Sequence, residues 1–244
     1  MQRLPVDGKT TDLSGASSEP VQGLLLVDKP AGMTSHDVVQ HVRRAYGERS
    51  IGHLGTLDPF ATGLLVLLVG RATRLATFVE TEPKVYEATI RFGSETDTDD
   101  ATGTVIRTAP PPVENEIRSA LKALTGAISQ VPPAYSAKSV DGTRAYDAAR
   151  RGKPLQLAAV SVTVHGWELR NLTSDSLSAI ITCSGGTYIR ALARDLGRTA
   201  GSAAHLEALR RTRVGPFDVR DAAPLETIAE KPSRVRTLRV VPDA

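Results

Sequence analysis

The sequence predicts an α+β domain built around a mixed or antiparallel sheet. More segments have the pattern of a strand than of a helix, and the two kinds do not alternate strictly, which argues against a doubly wound fold. A continuous apolar run from Gly63 to Gly70 indicates a strand that is covered on both faces. With 244 residues, the chain is long enough to bury the core that such a sheet needs.

The first predicted elements follow a polar segment, residues 1–22, which is rich in Gly, Ser and Thr and which we expect to be a disordered arm. Gly23 to Val27 has the pattern of a buried strand. After a Pro/Gly turn, Ser35 is predicted to be the N-cap of a helix that ends before Gly47, because valines recur there at helical spacing. Residues 84–93 alternate between apolar and polar, as in a half-buried strand.

The second half of the chain continues the same mixture. Pro112 to Thr125 is predicted to be a helix with acidic residues at its positive end, and Gly126 ends it. Three more elements are predicted: a strand through Val160, Val162 and Val164, a strand from Leu177 to Cys183, and a helix that begins near Thr187.

Composition argues against several classes of protein. The single cysteine, Cys183, rules out a disulfide within the chain and a cysteine-based zinc cluster. The longest apolar run, Leu64 to Val69, is too short to cross a bilayer, and the N-terminus lacks a signal pattern, so we expect a cytoplasmic protein without a membrane partner. The histidines lack metal-ligand spacing, and no nucleotide-binding glycine motif is present. We therefore expect no metal and no cofactor.

One acidic segment, residues 94–103, resembles a calcium loop at first sight. It lacks the glutamate that would complete such a loop, so we interpret it as an acidic hairpin loop.

Asp58 is the first candidate for chemistry. Pro59 follows it and disfavours helical dihedrals at Asp58, Gly55 and Gly63 flank it, and a buried strand comes next. An ordinary turn aspartate would explain an isolated Asp-Pro pair. The alternative is a carboxylate held at the end of a sheet as a nucleophile or base.

Arg190 is the second candidate. It falls in the first turn of its predicted helix, where a cation opposes the helix dipole at a cost of roughly 0.3–1 kcal/mol, so an anionic partner is expected. Tyr188 is close by in sequence. Arg194 and Arg198 continue a basic stripe at four-residue spacing, and for Arg198 we favour a solvated helix face.

Basic residues are also concentrated elsewhere in the chain, interleaved with tyrosines, and the pI is about 9.1. Clusters of this kind favour a phosphodiester backbone and stacked bases over a merely solubilising surface. The clusters contain Lys138, Arg144, Arg150, Arg151 and Lys153; Arg210, Arg211 and Arg213; and Arg71 and Arg74.

Five blocks in this order resemble the TruB family of tRNA pseudouridine synthases over about Gly23 to Val219. They are GLLLVDKPAGMTSHDVV, GHLGTLDPFATGLLVLLVGRATRL, KVYEATIRFG, VPPAYSAKSVDGTRAYDAARRG and CSGGTYIRALARDLG. The resemblance implies a pseudouridine synthase fold with an RNA-binding cleft. It also implies isomerisation of the T-loop uridine at tRNA position 55 to pseudouridine, with base flipping.

The same resemblance implies roles for individual residues. The catalytic group would contain Asp58 as the catalytic aspartate, Arg190 as its partner, Tyr86 against the flipped uracil and Tyr188 beside the reacting nucleotide. His53 would belong to the element that enters the T-loop, and Leu209 would line the base pocket.

Residues 131–153 would form an RNA-clamping insertion. Further substrate-binding residues would be Lys29, Arg74, Arg150, Arg151 and Arg194; at Arg74, the family often has lysine.

The resemblance leaves the chemical route open: Asp58 could attack C1′, attack C6, or remove a proton to give a glycal. We expect a catalytic domain at 23–222 and a short tail at 223–244. The chain departs here from many members of the family, which carry a small C-terminal RNA-binding domain of the PUA type, and we expect that domain to be absent or vestigial. We expect a monomer that acts on the T-arm of tRNA and needs no protein partner. Two alternatives are a non-catalytic tRNA-binding or tRNA-folding module and a guide-RNA-dependent synthase subunit.

Overall fold

A computed structural model of the chain describes residues 21–136, 138–140 and 142–228. These residues belong to two compact units: Met1–Lys84 with Arg210–Ala244, and Val85–Leu209. Most of the predicted arm and the last part of the predicted tail, residues 229–244, lie outside the described residues, so both stay predictions. None of the described helices combines the length and the apolar character that a membrane span requires.

Strands and α-helices follow one another along the chain without strict alternation. The strands are β1 (Gly23–Lys29), β2 (Ile51–Leu54), β3 (Thr62–Val69), β4 (Lys84–Phe92), β5 (Ser94–Thr96), β6 (Val105–Thr108), β7 (Gly126–Gln130), β8 (Ser139–Val140), β9 (Thr143–Arg144), β10 (Val160–Leu172), β11 (Ser176–Cys183), β12 (Ala204–Val214), β13 (Phe217–Asp218) and β14 (Ala223–Pro224). The α-helices are α1 (Ser35–Tyr46), α2 (Glu114–Ala123), α3 (Ala145–Arg150) and α4 (Ile189–Thr199).

In the first unit, β3 is the central strand of a mixed sheet with the order β14-β1-β3-β12. It pairs with β1 and β2 in antiparallel fashion and with the end of β12 in parallel fashion. Side chains of β3 alternate between two apolar clusters: Leu65, Leu67 and Val69 lie in the cluster that contains α1, and the residues between them lie in the other. The prediction of a strand covered on both faces is therefore confirmed.

Helix α1 forms where the sequence predicts it, but the predicted N-cap is wrong. Thr34 is the N-cap, and it exchanges capping hydrogen bonds with Asp37: the Asp37 amide donates to Thr34 Oγ1 at 3.0 Å, and the Thr34 amide donates to Asp37 Oδ2 at 2.8 Å. Ser35 is the first helical residue and is buried. Threonine and serine are both good caps, so local sequence alone does not decide between neighbours.

In the second unit, the sheet has the order β12-β4-β11-β10-β7. The predicted alternation in β4 is confirmed, because Tyr86, Ala88, Ile90 and Phe92 are buried. The acidic segment forms the predicted hairpin, with β5 antiparallel to β6. Cys183 is fully buried at the end of β11. The α+β class with a mixed sheet is thus confirmed.

Gly63 allows a close approach between β3 and β12. Its φ angle is +102°, and a Cβ atom there would collide with the backbone carbonyl oxygen of Arg211 and lie 2.8 Å from the Arg211 nitrogen. These two residues are also register partners in the parallel pair. The position therefore requires glycine for both its backbone conformation and its space.

Replacement of Gly63 by alanine should lower the free energy of unfolding by at least about 2 kcal/mol, because backbone strain at positive φ adds to the collision. Urea denaturation followed by circular dichroism measures this. The matched control is Gly52→Ala in β2, where an added Cβ meets no atom within 4 Å and where we expect a change below about 1 kcal/mol. Equal stability of the two variants would contradict the account of this approach.

Candidate active site

Asp58 lies in the loop of residues 55–61, which connects the antiparallel strands β2 and β3. Its side chain is half-buried, and its own carbonyl oxygen accepts a hydrogen bond from the Ala61 amide at 3.1 Å. The carboxylate is therefore placed at one end of the sheet of the first unit. The conformation of the loop is determined by the groups that hold its other carbonyl oxygens.

Arg211 holds the beginning of the loop. Its guanidinium donates from Nη2 to the carbonyl oxygen of Gly55 at 3.1 Å and from Nη1 to that of Thr56 at 3.3 Å. Its Nε donates to the carbonyl oxygen of Leu64, beyond the loop, at 2.8 Å. Arg211 is only 1% exposed. A buried cation is tolerated when its donors are satisfied, and here backbone carbonyls satisfy them.

The residues around Asp58 itself are held by α1 and by the turn before it. Ser35 Oγ accepts from the Leu57 amide at 2.9 Å and lies 3.2 Å from the Leu57 carbonyl oxygen. The carbonyl oxygen of Pro59 accepts from the Gly32 amide at 2.8 Å. The peptide groups on both sides of the aspartate are thus fixed by the fold.

Lys29, at the end of β1, also contributes to this loop. Its buried ammonium donates to the carbonyl oxygens of Pro30, Met33 and Pro59 at 2.7–3.3 Å. Burial lowers the pKa of Lys29 to about 8, and the charge of Arg211 adds to this, whereas Asp58 acts in the opposite direction. The contacts give Lys29 a structural role in the loop, and its contact with RNA stays a prediction.

For the cluster of Arg210, Arg211 and Arg213, the structure contradicts the sequence interpretation at Arg211. That interpretation made the cluster a surface for the phosphodiester backbone, but its residues lie in β12, where Arg211 is buried. Arg210 forms an ion pair with Asp28 at 2.7 Å. Arg211 is excluded from such a surface because backbone carbonyls bind its buried guanidinium, whereas Arg213 is exposed and its contact with RNA stays a prediction.

His53 lies in β2, just before the Asp58 loop, and is half-buried. Burial lowers the pKa of its imidazole, and the charge of Arg211 lowers it further. Both effects favour the neutral imidazole. Arg74 lies in a 3₁₀ turn, Gly70–Leu75, and is exposed. Contacts of these two residues with RNA stay predictions.

In the second unit, Tyr86 and Leu209 are both 7% exposed. Tyr188 is the N-cap residue of α4, and its side chain supplies no capping hydrogen bond. Instead, the side-chain amide of Gln130 pairs with the Tyr188 backbone, accepting from its amide at 2.8 Å and donating to its carbonyl oxygen at 3.1 Å. Sequence reasoning missed Gln130, because nothing local to it indicates so distant a partner.

Arg190 is buried in the first turn of α4. It donates from Nη1 to the carbonyl oxygen of Thr98 and from Nη2 to that of Tyr135, both at 2.9 Å. Asp100 Oδ2 lies 3.5 Å from its Nη1. Asp100 belongs to the acidic hairpin and is therefore an anionic partner of Arg190, of the kind that its position in the first turn of α4 leads us to expect. The pairing of Arg190 with Asp58 stays a prediction.

The rest of the basic stripe pairs with the same hairpin. Arg194 is 8% exposed and forms an ion pair with Asp99 at 2.8 Å, and Arg198 forms one with Glu95 at 2.7 Å. Burial raises the pKa of Asp99 to about 6, although the charge of Arg194 opposes this. Arg198 is thus ion-paired as well as solvated, and a contact between Arg194 and RNA stays a prediction.

The predicted insertion, residues 131–153, contains β8, β9 and α3. The guanidinium of Arg150 lies 4.6 Å from the ring centre of Tyr146, which contacts Tyr135 edge-on. Arg150 and Arg151 are both exposed. An exposed cation beside an aromatic ring can bind phosphates and unstacked bases, so the geometry is compatible with the predicted role.

Within residues 21–136, 138–140 and 142–228, no three His, Cys, Asp or Glu side chains come together as they would around a metal ion.

Two family models match this chain. Residues 43–189 match the N-terminal domain of the TruB family of pseudouridylate synthases, and residues 190–238 match the C-terminal domain of tRNA pseudouridylate synthase B. The second match includes residues of the predicted tail.

Curated relatives agree with these family matches. The chain is 52% identical to a tRNA pseudouridine synthase B of Thermobifida fusca (strain YX), over 85% of this chain and 74% of that protein. It is 49% identical to one of Arthrobacter sp. (strain FB24), over 86% of this chain and 72% of that protein.

Solved structures are similar over most of this chain. A chain in the crystal structure of a Cbf5-Nop10-Gar1 complex superposes with a TM-score of 0.66 and 26% identity, covering 85% of this chain and 54% of that one. A chain in the archaeal box H/ACA sRNP Nop10-Cbf5 complex superposes with a TM-score of 0.64 and 25% identity, covering 95% and 60%. The chain thus spans less than two thirds of these structural relatives.

The lowered pKa of Lys29 predicts a pH dependence of stability. The folded value of about 8 lies below the ordinary value of 10.5, so the unfolded chain binds more protons between these values. The free energy of unfolding should therefore rise with pH from 8 to 10, by on the order of 1 kcal/mol per pH unit.

Urea titrations at pH 8 to 10 measure this rise, which Lys29→Met should remove. The control is Lys122→Met, which replaces an exposed lysine in α2 and should keep the wild-type dependence. A Lys29→Met protein with the full wild-type rise would show that Lys29 is not the group responsible.

Proposed function

Because the chain belongs to the TruB family of pseudouridylate synthases, we propose that it isomerises a uridine of tRNA to pseudouridine, with Asp58 as the catalytic carboxylate. The observation that carries the assignment of Asp58 is the support of its loop. Arg211, Ser35 and Lys29 hold the peptide groups on both sides of it. A carboxylate that serves only as a turn residue does not need three buried side chains to fix its neighbours.

The reaction sets the requirements for such a site. The C1′–N1 bond of the uridine breaks, a C1′–C5 bond forms, C5 loses its proton, and N1 gains one. Atoms and electrons balance within the substrate and water, so the isomerisation consumes no oxidant or reductant. It needs a target base that has been taken out of its stack, a fixed carboxylate and the exclusion of bulk water.

Residue roles follow the family resemblance. We propose that Tyr86 packs against the flipped uracil, that Leu209 lines its pocket and that Tyr188 lies beside the reacting nucleotide. We further propose that Arg190 pairs with Asp58, which favours the ionised form of the carboxylate. The burial of Tyr86 and Leu209 supports these roles, since a base pocket must be apolar and dry.

The substrate that we propose is the T-loop uridine at position 55, presented by the T-arm stem-loop. The names of the relatives, tRNA pseudouridine synthase B, support tRNA as the substrate class. The exposed pair Arg150 and Arg151 supports an insertion that contacts the phosphate backbone. We propose that the protein acts in the cytoplasm, as a monomer and without a protein partner.

The two alternatives are less favourable. A non-catalytic binding module would not need a carboxylate held beside buried cations, since a negative charge repels phosphates. A guide-RNA-dependent subunit would act within a larger assembly, and the structurally similar chains were solved in complexes of Cbf5 with Nop10. However, the identity to those chains is about half of that to the curated tRNA pseudouridine synthase B proteins.

Asp58→Asn should abolish pseudouridine formation, with a rate at least about 10³-fold below wild type, because the amide keeps the shape of the carboxylate but removes its charge. Mapping of pseudouridine in a T-arm hairpin, alongside RNA affinity and unfolding curves, measures the effect. Affinity and stability should stay close to wild type.

The matched control is Asp221→Asn, which makes the same change at an exposed aspartate of the first unit and should retain full activity. Substantial turnover by Asp58→Asn would overturn the assignment of Asp58.

Neutralisation of Arg150 and Arg151 together by glutamine should weaken RNA binding and flatten its salt dependence. Each lost phosphate contact removes roughly 0.7–0.9 from the slope of log affinity against log salt, so the slope should fall by about 1–2. Filter binding between 50 and 300 mM salt measures this slope.

The control pair is Arg118 and Lys122, which are exposed on α2. If both double variants gave the wild-type slope, the RNA would not contact the insertion at these residues.

A further inference from the structure

The beginning of the insertion is tied to the helix that carries Tyr188 and Arg190. We call residues 130–135 the root segment. Besides the pairing of Gln130 with Tyr188, the carbonyl oxygen of Val131 accepts from Arg194 and that of Tyr135 accepts from Arg190, both at 2.9 Å. Three points of the root segment thus contact the first two turns of α4.

Gln130 makes the most specific of these contacts. It is fully buried and is the last residue of β7, where it pairs with Val160 of β10. Its side-chain amide accepts from and donates to the backbone of one residue, Tyr188, as a neighbouring strand would. A primary amide offers a donor and an acceptor side by side. An apolar side chain offers neither, and a carboxylate offers only acceptors.

Tyr188 needs such a partner because of the turn that precedes it. Ser184, at the start of this turn, is anchored to Thr163 of β10 through its amide and its hydroxyl, at 2.8 and 2.9 Å. Gly185 and Gly186 follow, and Gly186 has a φ angle of +79°. The Tyr188 amide precedes the helix and has no helical acceptor. Gln130 is therefore the second anchor of the turn, at the point where α4 begins.

We propose that Gln130 is a positioning residue for the reaction, which fixes the start of α4 and thereby the placement of Tyr188 and Arg190. The inference rests on the proposed function, in which these two residues serve catalysis. Because Gln130 also begins the root segment, it joins the RNA-clamping insertion to the catalytic helix. A displacement of about 1 Å in a positioned group can lower a reaction rate by roughly 10²-fold, so an effect on the chemical step is expected.

Two substitutions test this role. Gln130→Leu removes both hydrogen bonds and keeps a buried side chain of similar volume. Gln130→Glu keeps the shape and, when ionised, loses the donor to the Tyr188 carbonyl oxygen. Both should lower the single-turnover rate on a T-arm hairpin at pH 8 by tenfold or more, with the dissociation constant for the hairpin within threefold of wild type. The control Gln156→Leu changes an exposed glutamine and should leave both quantities unchanged.

A pH series separates positioning from a general loss of stability. Burial raises the pKa of an introduced carboxyl, and its protonated form can again donate and accept, as the amide does. The rate of Gln130→Glu relative to wild type should therefore recover at least fivefold from pH 8 to pH 6, whereas that of Gln130→Leu should stay constant. The charged groups that face this region are Arg190 and Arg194, which donate to the carbonyl oxygens of Tyr135 and Val131. Asp99 has a pKa of about 6 and titrates in the wild type and in both variants. Its effect on the rate is therefore the same in each protein and does not change the ratio of the rates.

The outcomes are distinct. Wild-type activity in a folded Gln130→Leu protein, or a ratio for Gln130→Glu that does not change with pH, would overturn the proposal. If Gln130→Leu does not fold, the Gln130→Glu series decides alone. A wild-type protein that forms no pseudouridine in the same assay would instead contradict the proposed function.

Discussion

The position of Asp58 depends on hydrogen bonds to the backbone carbonyls around it, and the buried guanidinium of Arg211 makes the largest share of them. A buried cation is costly unless its donors are satisfied. Hydrogen bonds to charged groups each contribute about 1.5–3 kcal/mol. Arg211 donates to Gly55, Thr56 and Leu64, so a loop conformation that withdrew these carbonyls would leave the charge unpaired. Because the donors of Arg211 must stay satisfied, the loop is held in one conformation. Electrostatic catalysis requires a carboxylate that is held rigidly in this way.

The second unit follows the same principle with ion pairs. The arginine stripe of α4 faces the acidic hairpin, where Asp99, Asp100 and Glu95 are buried. Burial acts to raise the pKa of the Glu95 carboxyl, but hydrogen bonds and charges from Arg198 and Arg107 outweigh it and lower that pKa. Removing one member of such a pair leaves an uncompensated charge, which is far more costly than the pair itself. The hairpin therefore holds α4 in register, and Gln130 fixes the point at which α4 begins.

Local pattern was sufficient to predict much of this architecture. The burial of β3 on both faces, the alternation in β4 and the acidic hairpin depend on short-range periodicity and turn residues, which the sequence displays directly. The roles of Arg211, Ser35 and Gln130 could not be predicted in this way. Each depends on a partner that is distant in sequence, such as Leu57 for Ser35 or Tyr188 for Gln130. Arg211 belongs to a basic cluster that the sequence interpretation places on the surface, because composition does not distinguish a solvated cation from one whose donors are satisfied by backbone carbonyls.

The central claim is that this chain catalyses the isomerisation, and loss of the C5 proton reports that step directly. A T-arm stem-loop labelled with tritium at C5 of its uridines should be incubated with the purified wild-type protein in excess. We predict release of one tritium per hairpin into water, with pseudouridine formed at the T-loop position. Stable binding of the hairpin with no release of tritium, from this RNA or from a full-length tRNA labelled in the same way, would contradict the account.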